Sequence, residues 1–472
     1  MARSFHLASL ALVGFALAAC TTTTNTNTNG GGSSGTPNGD NSSSGGDGVS
    51  QAPGGRFFLP TGAEADNTSA PRIEVDSSGG IHAIYPAYAR GGAYYAYCPA
   101  DCAGTADVKV VRFETQGTVG NAMIALDARG KPQILLSAYS KVYYGACTGD
   151  CTTPDGWNVA PILDHGSEKE VTGEAFALDP QGRPRFLMHT YVAYLGIGQK
   201  PFKTELVACD ADCTNPASWR ASTIGTDNFE RSQLRYDAQG RAHVATIARL
   251  KADDGSEQLL GAYQYCAADC EKPESWTGPG LGNAFSDHLA AVEIKPQINL
   301  ALTKAGQPRI VFLMKDDAGK KLVAYFECDE SCTSAETWTA IAVSDHEELS
   351  SGFDLALDAD GHPRIAFSLN YNIGVAYCDQ PSCTAEGSKW DLTVVERGSD
   401  MPPDTIFLEP NCTVGAWFLH DPSIALTPAG QPRIGYQARD ISGGWKNPDP
   451  TKPDCTAGTD MTWSRLAILP SL

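Results

Sequence analysis

One phrase recurs seven times along the chain, and it constrains the fold more than any other feature. An alternating apolar run leads into D-x-x-G or T-x-x-G, usually followed by x-P, and a second alternating run leaves it. The copies are VDSSGGIHAI from Val75, LDARGKPQIL from Leu126, LDPQGRPRFL from Leu178, YDAQGRAHVA from Tyr236, LTKAGQPRIV from Leu302, LDADGHPRIA from Leu357 and LTPAGQPRIG from Leu426. Each reads as a β-hairpin. Asp or Thr at the start of the turn can bond the turn backbone, and the Gly supplies positive φ at no steric cost. Pro132, Pro184, Pro308, Pro363 and Pro432 stand at the start of the outgoing strand, where a missing N–H is tolerated.

A second phrase follows each hairpin. A short Tyr-rich strand ends in Cys, a second Cys comes soon after, and Trp follows. The pairs are Cys98/Cys102, Cys147/Cys151, Cys209/Cys213, Cys266/Cys270, Cys328/Cys332 and Cys378/Cys383. The Trp residues are Trp157, Trp219, Trp276, Trp338 and Trp390, with Val108 in that place in the first unit. Each unit is then a four-strand meander with the Cys pair across its last turn. The turn positions Asp76, Asp127, Asp179, Asp237, Thr303, Asp358 and Thr427 lie between 51 (Asp76 to Asp127) and 69 (Asp358 to Thr427) residues apart. That spacing suits propeller blades with loop insertions. Tandem immunoglobulin-like domains need nearer ~100 residues each. The expected fold is an all-β, seven-bladed β-propeller of four-stranded antiparallel blades over residues 56–472.

The Cys pairs are read as disulfides. A tetrahedral zinc site needs two such pairs brought together, and here each pair belongs to a different blade. The seventh unit departs from the pattern: its third strand, placed near Trp445, has no Cys, while Cys455 and Trp463 keep the second half of the phrase. Cys412 is left over before this unit, so a Cys412–Cys455 bridge is expected. With Cys20 set aside, the other 14 of the 15 Cys then form seven pairs, which fits an oxidising compartment.

Ahead of the repeats stands an export signal over residues 1–19. Arg3 gives a positive start, and Leu7 to Leu17 is an apolar run too short to span a bilayer as a mature helix. Residues 20–55 hold the Cys20 site and a Thr/Asn/Gly/Ser tether that cannot form a core. Its Gly-rich character gives an end-to-end distance of roughly 30–35 Å. Net charge of -20 sets the surface against nucleic acid and anionic lipid, and 48 Gly with 29 Pro suit a turn-rich globular body.

The run Leu17-Ala18-Ala19-Cys20 resembles the lipobox of bacterial lipoproteins. The resemblance implies a diacylated Cys20 at the mature N-terminus and, with Thr21 in place of Asp, an outer-membrane lipoprotein on its periplasmic side or at the cell surface. The hairpin phrase loosely resembles the repeats of sialidase-like (BNR) and NHL-like propellers. The Asp-box S-x-D-x-G-x-T-W is not matched beyond D-x-x-G, so this resemblance concerns fold more than activity.

In such a fold, sites gather at the face made by connections between units and by the second turn of each unit. Two sets of residues map there. The connections between units carry Glu64, Asp66, Asp164-His165, Glu168, Asp227, Glu230, Asp287-His288, Asp345-His346-Glu347-Glu348, Asp400 and His420-Asp421. Acidic loop residues are ordinarily just solvated, though this set could take a divalent cation such as calcium. Nine residues after each turn Gly stand Tyr88, Tyr139, Tyr191, Arg249, Lys315, Asn370 and Arg439, a column of aromatic and polar side chains suited to recognition. A third column, His82, Gln133, Arg185, His243, Arg309, Arg364 and Arg433, falls on the opposite face and is expected to pair with the turn carboxylates.

A sialidase-type site needs an Arg triad, a Tyr nucleophile with Glu, and an acid/base Asp. Arg249, Arg439 and several Tyr are available, but no motif fixes them. No G-x-S-x-G, H-E-x-x-H or phosphate loop is present, and D-A-D-G at Asp358 lacks the rest of an EF-hand. The expectation is a monomeric, lipid-anchored cell-envelope propeller that binds a protein or glycan, with no catalytic set and no evident cofactor. Membrane contact would be through the anchor alone, and nucleic acid is not a partner. The alternative is a sialidase-like, glycan-active hydrolase or lyase.

Overall fold

The structure is a computed structural model. It describes residues 51–472 apart from 62–65, 88–90, 165, 167–168, 193–202, 227–228, 252–256, 285–286, 290–291, 295–296, 317–318, 345–348, 370–371, 402–416, 441–450 and 452–461. The signal and Cys20 lie outside the described residues, as do Cys412 and Cys455, so the Cys412–Cys455 bridge falls there too. The chain is all β, and six short 3-10 turns are the only helical elements among the described residues. Among the same residues, no helix is long and apolar enough to cross a membrane.

Each repeat forms a four-stranded antiparallel meander. The first, for example, pairs Arg72–Val75, Ile81–Pro86, Ala93–Cys98 and Lys109–Phe113 in that order. The fourth and fifth repeats join into one eight-stranded sheet through a bridge between Ala284 and Met314. The innermost strands are Arg72–Val75, Asn121–Leu126, Lys169–Leu178, Phe229–Tyr236, Ile298–Leu302, Leu349–Leu357 and Trp417–Leu426. Each contacts the next, and the last contacts the first.

The core lies between successive sheets. Ile84, Tyr95 and Phe113 of the first repeat pack with Ile134, Leu136 and Trp157 of the second. Leu135, on the other face of the same strand, packs with Phe186 and Val207 of the third. Strands buried on both faces must be apolar at successive positions, as Ile134-Leu135-Leu136 is.

The hairpin turns follow the sequence chemistry. Asp127 Oδ1 accepts from the backbone N–H of Arg129 and Lys131, at 2.8 and 2.9 Å, and Gly130 N–H donates to Asp127 O at 2.8 Å. Asp76, Asp179, Asp237 and Asp358 repeat the two carboxylate contacts, and Thr427 Oγ1 accepts from Gln431 N–H at 3.1 Å. Gly130 and Gly182 both sit at φ 74°, as the turn requires.

Six disulfides join the pairs read from the sequence: Cys98–Cys102, Cys147–Cys151, Cys209–Cys213, Cys266–Cys270, Cys328–Cys332 and Cys378–Cys383. The pairs differ in how deeply their second Cys is buried. The first Cys of every pair is buried at the end of a third strand or, for Cys328 and Cys378, one residue beyond it. The second is buried at Cys102 and Cys383 but only half-buried at Cys151, Cys213, Cys270 and Cys332, which sit in the turn beyond the strand end. These four lean on the core through their backbone instead. The following Trp donates its indole N–H to the carbonyl of the second Cys: Trp157 to Cys151 at 2.9 Å, Trp219 to Cys213 at 2.8 Å, Trp276 to Cys270 at 2.8 Å and Trp338 to Cys332 at 2.9 Å. Trp390 does the same to Cys383 at 3.1 Å.

The seventh repeat differs from the sequence expectation. Its third strand is Thr462–Ile468, paired with Pro432–Asp440, and not a strand near Trp445, whose surroundings lie outside the described residues. The fourth strand comes from the far N-terminal end: Gly55–Phe58 pairs with Thr462–Ile468, from Gly55 opposite Ile468 to Phe58 opposite Arg465. Trp463 therefore stands on a third strand, and its indole N–H lacks the Cys carbonyl that the other five find. Residues 51–55, assigned by composition to the tether, are already part of the fold, with Ala52 N–H donating to Val394 O at 2.8 Å. Composition could not reveal this, because the partner strands lie at the other end of the chain.

Candidate functional site

The face that carries the hairpin turns is committed to structure. His82 Nε2 meets Asp76 at 3.2 Å and His243 Nε2 meets Asp237 at 3.3 Å, while their Nδ1 atoms bond Tyr95 and Tyr263, each at 2.7 Å. Arg185 reaches Asp179 at 3.2 Å, and Arg364 reaches Asp358 at 3.0 Å. Where the turn begins with Thr, the Arg turns elsewhere: Arg309 to Asp329 at 2.8 Å, and Arg433 to Leu469 O at 2.9 Å. Gln133 bonds Gly182 O across to the next repeat, at 3.1 Å.

Burial pushes the Asp76, Asp127, Asp237 and Asp358 carboxyls up. Hydrogen bonds from the turns and their neighbours outweigh it and hold all four below the usual carboxylate range. Burial lowers His82 and His243, partly opposed by Asp76 and Asp237.

Asp358, His362 and Asp379 come close enough together on this face to suggest a cation site. Arg364 Nη2 already lies between the two carboxylates, 3.0 Å from Asp358 and 2.5 Å from Asp379. A guanidinium thus supplies the positive charge that the cluster requires.

The opposite face opens into a cavity of about 550 Å³. Every one of the seven innermost strands contributes to its wall or to the residue just before the strand, including Arg72, Asn121, Ala175, Arg231, Asn299, Phe353 and His420. Gln437, Arg439 and Thr462 add a lobe beside the seventh sheet. Three half-buried arginines, Arg72, Arg231 and Arg439, line this space in a chain of net charge -20. Arg72 makes no side-chain hydrogen bond or ion pair among the described residues, although a half-buried guanidinium gains strongly from a counter-charge.

His420 is the other distinctive wall residue. It is 7% exposed, and its Nδ1 lies 2.9 Å from Asp421 Oδ2. The Phe418 ring stacks on the imidazole at 4.9 Å, and Nε2 is buried with no hydrogen-bond partner. Asp421 holds φ at 49° in a bulge between His420 and Ser423, an uncommon conformation for a non-glycine residue. It packs so tightly on Gly352 that a Cβ there would fall 2.6 Å from Asp421 Cα.

Further along the same strands, Glu74 faces the charges of Arg235 and Asp354, which come from other repeats. Burial pushes the Glu74 carboxyl up to about 7, against the pull of Arg235 and with help from Asp354.

Of the recognition column, Arg439 lines the cavity. Tyr139 and Lys315 are exposed, Tyr139 at φ 54°. Tyr191 and Arg249 are described in backbone only, and Tyr88 and Asn370 lie outside the described residues. Of the connection set, His420-Asp421 lines the cavity, while Asp66 is buried with Tyr94 OH at 3.1 Å. Asp164 and Asp400 are exposed; Glu230 and Asp287-His288 are described in backbone only. Glu64, His165, Glu168, Asp227 and the Asp345–Glu348 run lie outside the described residues.

The sequence reading does not place Arg72 and Arg231 in a site. For Arg72 the signal is there: counting back from the turn residue, the fourth position reads Arg72, Met123, Ala175, Gln233, Asn299, Asp354 and Ser423, and the second reads Glu74, Ala125, Ala177, Arg235, Ala301, Ala356 and Ala425, while Arg231 stands outside both columns. Apart from Met123, these columns are small or polar and alternate with large apolar ones, as a strand facing an open channel must.

No protein-family model matches the chain, and no curated protein matches it in sequence. Among solved structures it is similar to polysaccharide lyase Uly1, at 11% identity over 87% of this chain and 92% of that one, with a TM-score of 0.46. It is also similar to a Hadza microbial sialidase, at 11% identity and a TM-score of 0.41, over 64% of this chain and only 64% of the sialidase. A third is an alpha-L-arabinanase of Penicillium chrysogenum complexed with arabinobiose, at 11% identity over 73% and 97% of the two chains, with a TM-score of 0.41. Likeness at this level says nothing about chemistry.

Proposed function

We propose that this is a monomeric, lipid-anchored protein of the bacterial outer membrane, whose body is a seven-bladed β-propeller and whose channel-mouth cavity recognises an acidic glycan. The closed succession of innermost strands supports the ring, with Gly55–Phe58 completing the seventh blade. The lipobox-like Leu17-Ala18-Ala19-Cys20 supports the anchor.

One observation carries the ligand class. Arg72 stands half-buried, with no hydrogen-bond or ion-pair partner among the described residues, on the wall of a cavity that Arg231 and Arg439 also line. An acidic protein that gathers guanidinium groups at one mouth creates a local field opposite to its overall charge. The surrounding amides, among them Asn121 and Gln437, suit the hydroxyls of a sugar. Exposed Tyr139 offers a stacking face on the same side of the molecule.

The test is calorimetric titration of the purified, detergent-solubilised protein with matched acidic and neutral oligosaccharides. Binding of the acidic set, weakened by salt, is expected; failure to bind any glycan would sink the proposal. A second reading, a glycan-active enzyme, is favoured by the oriented imidazole of His420.

A further inference from the structure

We infer that Tyr139 forms a second, stacking subsite beside the arginine-lined cavity, so that the ligand is a chain of sugars and not a single acidic one; this rests on the acidic-glycan reading of that cavity.

The strand register fixes where Tyr139 stands. Asn121, on the cavity wall, lies opposite Ser137 in the neighbouring strand, and Gly120 N–H, from the wall residue before it, donates to Ser137 O at 2.9 Å. Tyr139 follows Ser137 by two residues, a span of about 7 Å in extended chain. The strand ends at that point: Ala138 pairs with Lys141, and Tyr139-Ser140 make the turn between Pro132–Ala138 and Lys141–Cys147. Tyr139 is therefore a rim residue, one strand out from the wall, within reach of the next sugar of a chain whose acidic unit occupies the cavity.

The turn is pinned from both sides. Lys141 Nζ lies 3.0 Å from Asp164 Oδ2 and 2.5 Å from Gln116 Oε1, and Ser140 is buried. A platform held in this way has little freedom left to lose when a ligand lands on it.

Nothing in the fold calls for tyrosine here. Among the described residues Tyr139 and Leu392 are the only large hydrophobic side chains that are exposed, and Tyr139, at 46%, is the more so. Its backbone holds φ at 54°, the left-handed conformation that a two-residue hairpin turn requires. Gly, Asn and Asp suit that conformation, whereas an aromatic residue in it is strained. The chain thus keeps a strained ring in water where a smaller residue would fit better, and departures of this kind gather at ligand sites.

A sugar ring carries a patch of C–H groups on one face, and the electron-rich face of a phenol attracts it. Tyr139 brings area without charge, so it leaves the carboxylate to the arginines and acts on the length of the ligand. Only a chain long enough to touch both places gains from both.

Calorimetric titration of the detergent-solubilised full chain should compare galacturonate and glucuronate with tetrasaccharides of pectate and hyaluronan. At least one tetrasaccharide is expected to bind more tightly than its monosaccharide. Tyr139→Asn should weaken that tetrasaccharide roughly tenfold, leave the monosaccharide unchanged and not lower the melting temperature, since Asn suits the turn. Tyr139→Phe keeps the stacking face and should keep the affinity. Tetrasaccharides with no advantage over monosaccharides, or an advantage that survives Tyr139→Asn, would overturn the subsite and leave the cavity reading standing. Equal weakening of both ligand lengths would do the same. Failure of every acidic saccharide to bind would overturn both.

Discussion

Arg465 grips Glu396 through two hydrogen bonds of 2.6 Å each, across the seam between the sixth and seventh sheets. Both side chains are buried, Tyr436 OH donates to the same carboxylate at 2.5 Å, and the guanidinium lies 4.6 Å from the Phe58 ring centroid. Replacing Glu396 by Ala leaves a buried cation and a buried phenol without their acceptor. Chemical denaturation should report a loss of about 3–5 kcal/mol. A loss under about 1 kcal/mol would mean that the seam does not depend on this pair.

Phe58 carries the closing strand into the core, 5.9 Å from the Trp417 ring and 6.3 Å from Trp463. Phe58→Ala should cost about 3–5 kcal/mol, through lost transfer energy and the cavity left behind. The melt should also become less cooperative if the closing strand detaches first.

Each short disulfide closes a loop of few residues and should contribute about 2 kcal/mol on the chain-entropy estimate. Replacing Cys209 and Cys213 together by Ser should cost about that amount. Trp219→Phe should cost less, since the aromatic contact with Tyr144 at 5.3 Å survives and only the bond to Cys213 O is lost. Urea titration of the two variants would check the order.

Stability should fall as the pH drops below about 6.5, the ordinary histidine value. His82 and His243 have folded-state values below their unfolded ones, so their contribution is complete above the unfolded value and is lost as the pH falls through the folded one. Asp76, Asp127, Asp237 and Asp358 act with the same sign at lower pH. Glu74 has the opposite sign: with its folded value raised to about 7, it costs stability as the pH rises from 4.5 towards 7. Glu74→Gln should therefore stabilise the protein at neutral pH, by on the order of 1–2 kcal/mol after allowance for channel water. Melting temperatures of this variant and of the His82→Gln, His243→Gln double variant across pH 4 to 8, roughly the span set by these ordinary values, would separate the two effects.

Arg72→Ala should weaken binding of an acidic oligosaccharide by roughly tenfold or more, with the melting temperature little changed, because the side chain makes no hydrogen bond or ion pair among the described residues. Wild-type affinity should fall as ionic strength rises, and the variant's should fall less.

The strands are legible in the sequence because their turns are written in side chains that act locally: Asp127, Gly130 and Pro132 specify a hairpin without reference to the rest of the molecule. The disulfides are legible for the same reason, though spacing alone does not say that Cys151, Cys270 and Cys332 stay half-exposed while Cys102 and Cys383 are covered. That depends on how each turn settles against its neighbours. The fourth strand of the seventh sheet is not legible, since Gly55–Phe58 gains its meaning only from Thr462–Ile468. The cavity falls between these cases. Arg439 and His420-Asp421 stand in the expected columns, but Arg72 and Arg231 face the axis from the innermost strand, whose apolar face dominates its pattern. The alternation between Ile73 and its neighbours Arg72 and Glu74 marks an inner surface that is wet.

The strand Gly55–Phe58 is made long before the Thr462–Ile468 strand it must join, so the last sheet stays unlatched throughout synthesis. Every earlier sheet can mature as it emerges, but the seventh is completed only when Gly55–Phe58 meets Thr462–Ile468. A prematurely terminated product would keep a raw edge on Pro432–Asp440 and exposed aromatics at Trp417, a shape that a protease or chaperone can tell from the finished molecule. Pairing between so early and so late a strand thus makes synthesis of Thr462–Ile468 a condition of the native shape.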